Sequence, residues 1–443
     1  MNTTSLKVRF SKWFDEFVLS GISRLGFPVG ERTRTLFYGL QWNAPAAAVS
    51  RVLCGLATLF VARYLGPAGF GKANLALAAT LWIQVPLFCG LTTAIMHYVP
   101  RALPKERDPW AATGLCLLAV SSSLTLCVGF FFRTFWARVH GVSPDTFDLA
   151  LAWCAGFVIF SAATSLLSAR ERFPMRAVCE LVFALLFPAC IAIFWKGGKL
   201  SPATYILAFT VAYGLSGVIG LVRGWPQHLF FPGFTARLKM MLSYGALASL
   251  GSVMNALLNA PGRLVANRYL PLSDVGVLSA YQGGSTQMAL FFVAFGSQVF
   301  FPIASRTPNR QALFNKISRF MLLSGPLLCL AYAGCLTIYM LFLGKHYPLR
   351  ARDVIAFSLA AALTSFYALF SWFLASKGRR GLIVNSSVGL IAGTANLWGC
   401  HLLIPRWGIT GAGWAYAFSA LAGILICHLP FIQHDHSEPL STS

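Results

Sequence analysis

The sequence predicts an all-α, polytopic membrane protein of about twelve transmembrane helices, arranged as two parallel six-helix halves. Three observations predict it. The chain is too apolar for a soluble domain, it breaks into apolar runs of membrane-spanning length, and a short segment recurs at the head of each half.

Composition comes first. Of 443 residues, 57% are hydrophobic and only 11% charged, where soluble domains carry about 25% charged residues. A water-soluble chain of this size could not bury so much apolar surface, so the solvent is lipid. The charge is lopsided, with 35 Lys and Arg against 13 Asp and Glu. Nucleic-acid binding would gather that charge on one soluble face. Here it falls in short breaks between apolar runs, which points to a membrane and to no nucleic-acid partner.

A helix crosses the hydrocarbon core with about 20 mainly apolar residues. Such runs lie near 40–62, 73–98, 111–132, 148–169, 177–195 and 203–222, and again near 242–267, 275–304, 318–343, 354–376, 382–404 and 410–432. They divide the chain into a tail (1–38), a first six-helix bundle (39–223), a linker (224–241), a second bundle (242–433) and a C-terminal tail (434–443). The second and eighth runs are long enough to tilt or to end in the interface. With an even number of spans, both termini share one side. Of the 35 basic residues, 22 lie in the tail and the breaks on that side, 12 in the opposite breaks, and Arg51 within the first run. The positive-inside rule then places both termini in the cytoplasm.

Residues 1–36 lack the continuous apolar core of a signal peptide. Leu6, Phe10, Trp13, Phe14, Phe17 and Leu25 instead recur at helical spacing among Lys7, Arg9, Lys12 and Arg24. That pattern suits a helix on the anionic lipid of the cytoplasmic leaflet, or a partly disordered tail. The eleven cysteines all fall in apolar runs, with no CxxC pair and no His at ligand spacing. They read as small packing residues. His434, Asp435 and His436 read as a solvated tail, and neither a metal nor a cofactor is expected.

The recurring segment sets the organisation. Arg63-Tyr64-Leu65, followed by Gly71, matches Arg268-Tyr269-Leu270, followed by Gly276, without a gap at an offset of 205. At that offset spans one to six superimpose on spans seven to twelve in order. Six crossings return the chain to its starting side, so the halves are parallel repeats related by an axis along the membrane normal. By analogy with such folds, substrate would sit between them.

The stretch Leu59-Phe60-Val61-Ala62-Arg63-Tyr64-Leu65-Gly66-Pro67-Ala68-Gly69-Phe70-Gly71 resembles the start of bacterial polysaccharide (O-antigen type) flippases, of the multidrug/oligosaccharidyl-lipid/polysaccharide exporter superfamily. Gly90-Leu91-Thr92-Thr93-Ala94-Ile95 with Tyr98-Val99-Pro100, Val275-Gly276-Val277-Leu278-Ser279-Ala280-Tyr281 and Phe301-Pro302-Ile303-Ala304-Ser305 fit the same family. Lys72-Ala73 depart from it, where a Tyr often follows Phe-Gly. The resemblance implies two six-helix bundles around a central, often basic cavity in a bacterial inner membrane. It also implies movement of an undecaprenyl-pyrophosphate-linked oligosaccharide to the periplasmic leaflet, with other polysaccharide-assembly membrane proteins as possible partners.

Ionisable groups in hydrocarbon are costly and usually face a cavity. Arg51, Gly55, Thr58 and Ala62 form a small or polar stripe on the first span, and Asn255, Asn259, Gly262 and Ala266 the corresponding one on the seventh. A guanidinium at Arg51 suits a pyrophosphate, because its planar fork donates two bonds. The alternative is that it snorkels to the interface. Arg263 is either a late phosphate contact or an anchor at the outer end of its span, and position favours the anchor. Gln84, His97, Gln282, Ser285 and Gln287 suit sugar hydroxyls or interhelical packing. Glu180 suits a coupling proton or an ion pair with Arg176 one turn earlier, the reading preferred here.

Phosphate loops, HExxH, GxSxG and Asp-x-Asp signatures are absent, and no break is long enough for a soluble domain. A transporter is therefore expected rather than an enzyme. The alternatives are a cation-coupled multidrug exporter of the same superfamily, which would need cavity carboxylates, and a membrane polymerase or ligase. The latter would have to rest on the thin 133–147 segment with Arg138, His140 and Asp145.

Overall fold

The computed structural model describes residues 31–226, 233–306, 310–375 and 378–429. The expected tail helix, the central part of the 224–241 linker and His434-Asp435-His436 lie outside the described residues.

Every regular element among the described residues is helical. The first helical stretch, Glu31–Phe88, is broken at Gly66, whose φ of 67° and ψ of 176° are non-helical. Within it, the 48-residue stretch Gln41–Phe88 is apolar enough to cross a membrane. At 1.5 Å per residue such a rod would far exceed the ~30 Å hydrocarbon core, so it is two crossings, α1 (31–65) and α2 (67–88). Only glycine adopts this backbone without strain, which is what lets two spans join with no loop. The crossings α3 (Arg107–Phe131), α4 (Pro144–Ala169), α5 (Phe173–Lys196) and α6 (Pro202–Gly224) complete the first half.

In the second half α7 runs Phe234–Tyr269 and is composed of Phe234–Asn259 and Pro261–Tyr269, since Pro261 cannot donate to the ladder. It is followed by α8 (Leu272–Arg306), α9 (Arg310–Leu343) and α10 (Ala351–Ala375). The last stretch, Gly378–Cys427, breaks at Gly408 into α11 (378–407) and α12 (409–427). The twelve expected crossings are therefore present. Two boundaries differ from expectation. The first helix begins by Glu31 rather than near 40, and the second run divides at Cys89–Gly90 into α2 and a short helix, Leu91–Tyr98. Here Gly90 is left-handed, with φ 65°.

The two faces of the bundle are named from the chain. The terminal end holds the start of α1 and the finish of α12; the distal end holds Gly66 and Gly408. At the distal end the repeated segments meet. A Cβ on Gly71 would stand 2.4 Å from the Leu272 carbonyl oxygen and 2.9 Å from the Gly276 nitrogen, while one on Gly276 would stand 1.8 Å from the Pro67 oxygen. The Tyr347 hydroxyl, beyond α9, adds a 2.8 Å bond to the Ala62 carbonyl. Towards the terminal end the turn that follows α2 closes on α7 by a second glycine contact, with a Cβ on Gly90 falling 2.1 Å from the Gly245 oxygen. His97 stacks on Tyr244 beside it, centroids 4.2 Å apart. Small residues permit such approaches, and in lipid this packing drives helix association.

All eleven cysteines are free. Two ion pairs stand at the ends of the first half: Arg133 with Asp148 at 2.9 Å, and Arg170 with Asp108. The preferred Arg176–Glu180 pair does not form at contact distance. The two interact electrostatically, yet the described ion pairs within 4.0 Å do not include them. One turn of spacing on a helix brings side chains near each other without fixing a rotamer that joins them.

Candidate functional site

The site is built around Arg263, on the short helical segment of α7 beyond Pro261. Its Nε donates to Gln282 Oε1 of α8 at 3.2 Å, and Gln282 Nε2 donates to the Asn259 carbonyl at 3.1 Å. Asn259 Nδ2 in turn donates to Asn255 Oδ1 at 2.8 Å and to the Asn255 carbonyl at 3.1 Å. A single hydrogen-bonded chain thus runs Arg263–Gln282–Asn259–Asn255. Gln282 is buried, Arg263 and Asn259 are half-buried, and Asn255 is exposed within the span.

The opposite half comes to the same guanidinium. Arg263 lies within electrostatic reach of Tyr205 on α6, from the first half, and of Tyr416 on α12 of its own half. The Tyr205 hydroxyl makes a long, 3.4 Å contact to Thr58 Oγ1 on α1. Tyr205 is held by an aromatic ladder in the first half: it packs on Phe187 and Phe209, and Phe183 stacks on Tyr213 at 4.1 Å. A buried ring wedged in such a ladder has little rotamer freedom. Among the described residues no carboxylate forms an ion pair with Arg263.

Five of the expected residues, Thr58, Asn255, Asn259, Arg263 and Gln282, therefore come together. The others do not join them. Arg51 is exposed. It precedes Thr58 by seven residues, two turns less about 20°, so it shares the Thr58 face of α1 about 10 Å nearer the terminal end. Gln84 is bonded to Thr80 of its own helix at 3.5 Å. Ser285 bonds back to the Gln282 carbonyl, and Gln287 is exposed. His97 belongs to the α2–α7 contact, where it is bonded to Arg101. Glu180 is half-buried in the first half, with Cys54 of α1 and Tyr213 of α6 in electrostatic reach.

Three groups were not singled out from sequence. Tyr205 and Tyr416 sit in apolar runs without a polar pattern around them. Asp353, in a break by sequence, is fully buried in the first turn of α10, where it accepts from the Thr410 hydroxyl of α12. Its second oxygen is buried with no hydrogen-bond partner.

Comparison with known proteins follows from this geometry. An inward-facing MATE-family multidrug resistance transporter of the MOP superfamily is similar at a TM-score of 0.66 and 15% identity, over 86% of this chain and 97% of that one. A Vibrio cholerae MATE transporter is similar at 0.61 and 14%, over 89% and 95%. The lipid II flippase MurJ, in an inward closed conformation, is similar at 0.57 and 14%, over 87% and 86%. These likenesses establish the fold of MOP-superfamily transporters. No curated protein matches the sequence significantly. The family model described as polysaccharide biosynthesis protein matches residues 43–308, more than half of the chain. The chain belongs to that family of multi-pass membrane proteins.

Proposed function

We propose that this protein is a flippase that moves a lipid-pyrophosphate-linked oligosaccharide from the cytoplasmic to the periplasmic leaflet by alternating access, for cell-surface polysaccharide assembly. The observation that carries the proposal is the guanidinium of Arg263, placed between the two halves among phenols and amides with no carboxylate paired to it. A half-buried charge within the membrane that has no counter-ion among the described residues is unfavourable. An anionic cargo supplies the missing charge, and the planar fork suits two phosphate oxygens. The polysaccharide family and the flippase among the structural neighbours point the same way.

With the terminal end cytoplasmic, as the bias of basic residues favours, Arg51 is the first cation the pyrophosphate meets. Arg263 receives it deeper in the gap. Thr58, Asn255, Asn259 and Gln282 offer donors and acceptors to sugar hydroxyls, with Gln84 as a further candidate on α2. The lipid tail stays in the bilayer. Release requires the distal glycine contact to part, and the cargo must bind the two states differently for the cycle to be biased. Glu180, which stands without a guanidinium in contact, is the carboxylate we assign to a coupling proton.

An exporter of cationic drugs would need acids beside the cavity, whereas Glu180 lies within the first half and Asp353 is bonded to Thr410. A polymerase or ligase would need a catalytic cluster at the distal end. The 133–147 segment instead forms the short helix Arg133–His140, with Arg133 paired to Asp148.

The test is accumulation of lipid-linked oligosaccharide in a deletion strain. Wild type, Arg263→Lys and Arg51→Lys should relieve the accumulation in full or in part, and Arg263→Ala should not. Normal lipid-linked intermediates in the deletion strain would refute the flippase. Full relief by Arg263→Ala would refute the anion role.

A further inference from the structure

A cleft of about 720 Å³ lies apart from the Arg263 site. It is on the α2–α7 face of the bundle, lined by both halves. One wall is α2, α3 and α4 of the first half, and the other is α7 and α11 of the second. Towards the terminal end its lining reaches Pro86 on α2 and Leu124 on α3. Its distal roof is a clasp between halves, in which Asn267 Nδ2 donates to the Gly141 carbonyl at 2.6 Å and Arg268 Nη2 to the Val139 carbonyl at 3.1 Å.

The walls are almost wholly apolar, and part of them is left uncovered by the chain, with Leu124 at 63% and Val139 at 49% exposure. In a bilayer, lipid acyl chains cover such a surface. The groups of the cleft that carry or can accept positive charge, Arg268, His140 and His401, stand toward its distal side. Arg268 is exposed, and its bond to Val139 occupies one of five guanidinium donors. His140 places Nδ1 2.8 Å from the Trp136 carbonyl, and His401 places Nδ1 3.0 Å from the Leu397 carbonyl. A carbonyl only accepts, so Nδ1 carries the proton in both rings, and Nε2 donates to a phosphate only once the ring is protonated. Burial holds His140 below its ordinary value, so the Arg268 guanidinium is the standing positive charge of the cleft. Two rings from opposite halves and one guanidinium thus cap a hydrocarbon slot.

We propose that this cleft is a seat for an anionic glycerophospholipid of the distal leaflet, with an acyl chain between α2, α3 and α7 and the phosphate at Arg268, His140 and His401. Both halves form its walls, so the lipid binds the arrangement in which the distal clasp is closed and favours it over one in which the halves have parted. The seat is separate from the cargo site: it needs neither Arg263 nor any transported molecule.

The experiment uses the purified full chain in nanodiscs containing phosphatidylglycerol and phosphatidylcholine of identical acyl chains, released into native mass spectrometry. Wild type should retain phosphatidylglycerol over phosphatidylcholine by about tenfold, the factor one charge-assisted hydrogen bond contributes. Arg268→Gln should remove most of that preference. Val128→Trp, which fills the slot, should abolish retention of both lipids, and Lys196→Gln, basic but off the cleft, should match wild type. If Arg268→Gln fails to give a monodisperse protein, His401→Gln provides the same comparison with a smaller loss. Equal retention of the two lipids would overturn the proposal. So would wild-type retention by Val128→Trp, or a loss in Lys196→Gln equal to that in Arg268→Gln. No transport step enters the assay, so failure of the flippase reading leaves its outcome intact.

Discussion

Gly71 and Gly276, exact mates at the offset of 205 that relates the halves, pack against each other's segments at the distal end. Gly71 lies on the backbone of Leu272 and Gly276, and Gly276 lies on the backbone of Pro67, itself the mate of Leu272. This reciprocity is what a two-fold axis along the membrane normal produces where it passes through a contact. It makes the distal closure a self-complementary surface that one side chain can pry open. Gly276→Leu should be incompatible with the closed distal contact, since any Cβ there falls 1.8 Å from the Pro67 oxygen. Hydrogen–deuterium exchange should rise across 66–76 and 271–280 in the variant. An exchange pattern like that of wild type would show that the contact is dispensable to this state.

The α2–α7 contact makes a different demand. Gly90 is both left-handed and within 2.1 Å, by its missing Cβ, of the Gly245 oxygen. Gly90→Ala therefore meets a backbone penalty of about 1 kcal/mol and a steric clash that overpacking places at about 1–3 kcal/mol. A lowered thermal midpoint of the purified protein is expected. Gly55→Ala, where a Cβ meets nothing within 4 Å, should leave the midpoint unchanged.

At the terminal end, Arg170 spans three elements. It pairs with Asp108 at the start of α3 and donates to the Gly224 carbonyl at 2.9 Å, while Arg172 donates to the Arg223 carbonyl. Burial pulls the Arg170 guanidinium below its ordinary value, and the Asp108 carboxylate opposes that shift. Asp108→Asn should remove the charge partner and lower stability by about 1.5 kcal/mol, the low end for hydrogen bonds to charged groups, because water screens the partly exposed carboxylate. Arg133→Gln, breaking the exposed Arg133–Asp148 pair, should cost about 1 kcal/mol at most.

Glu180 should report on coupling. If it binds the driving proton, Glu180→Gln leaves basal movement of cargo measurable in proteoliposomes but removes its response to an imposed proton gradient. A variant that still accelerates with the gradient as wild type does would remove Glu180 from that role.

The sequence carried the architecture further than the site. Apolar runs of membrane-crossing length located all twelve crossings, because lipid leaves little choice about where backbone can lie. The loopless joins at Gly66 and Gly408 were not visible, since a left-handed glycine looks like any other in a glycine-rich chain. The stripes on the first and seventh spans picked out Thr58, Asn255 and Asn259, which the structure brings near Arg263. Arg263 read as an anchor because its run ended soon after it. The helix restarted by Pro261 continues to Tyr269, however, and so carries Arg263 inward of the end. Tyr205 and Tyr416 could not have been found, as their partners lie on helices remote in sequence. Asp353 looked like a loop acid and is instead buried against Thr410.

The account rests on an anion-binding guanidinium between the halves, and binding tests it most directly. Purified wild-type protein should bind undecaprenyl pyrophosphate well above uncharged undecaprenol. Arg263→Ala should lose about tenfold to a hundredfold in affinity for the pyrophosphate, the range of one charge-assisted contact, and Arg263→Lys should lose less. Equal affinity of Arg263→Ala and wild type for undecaprenyl pyrophosphate would contradict it.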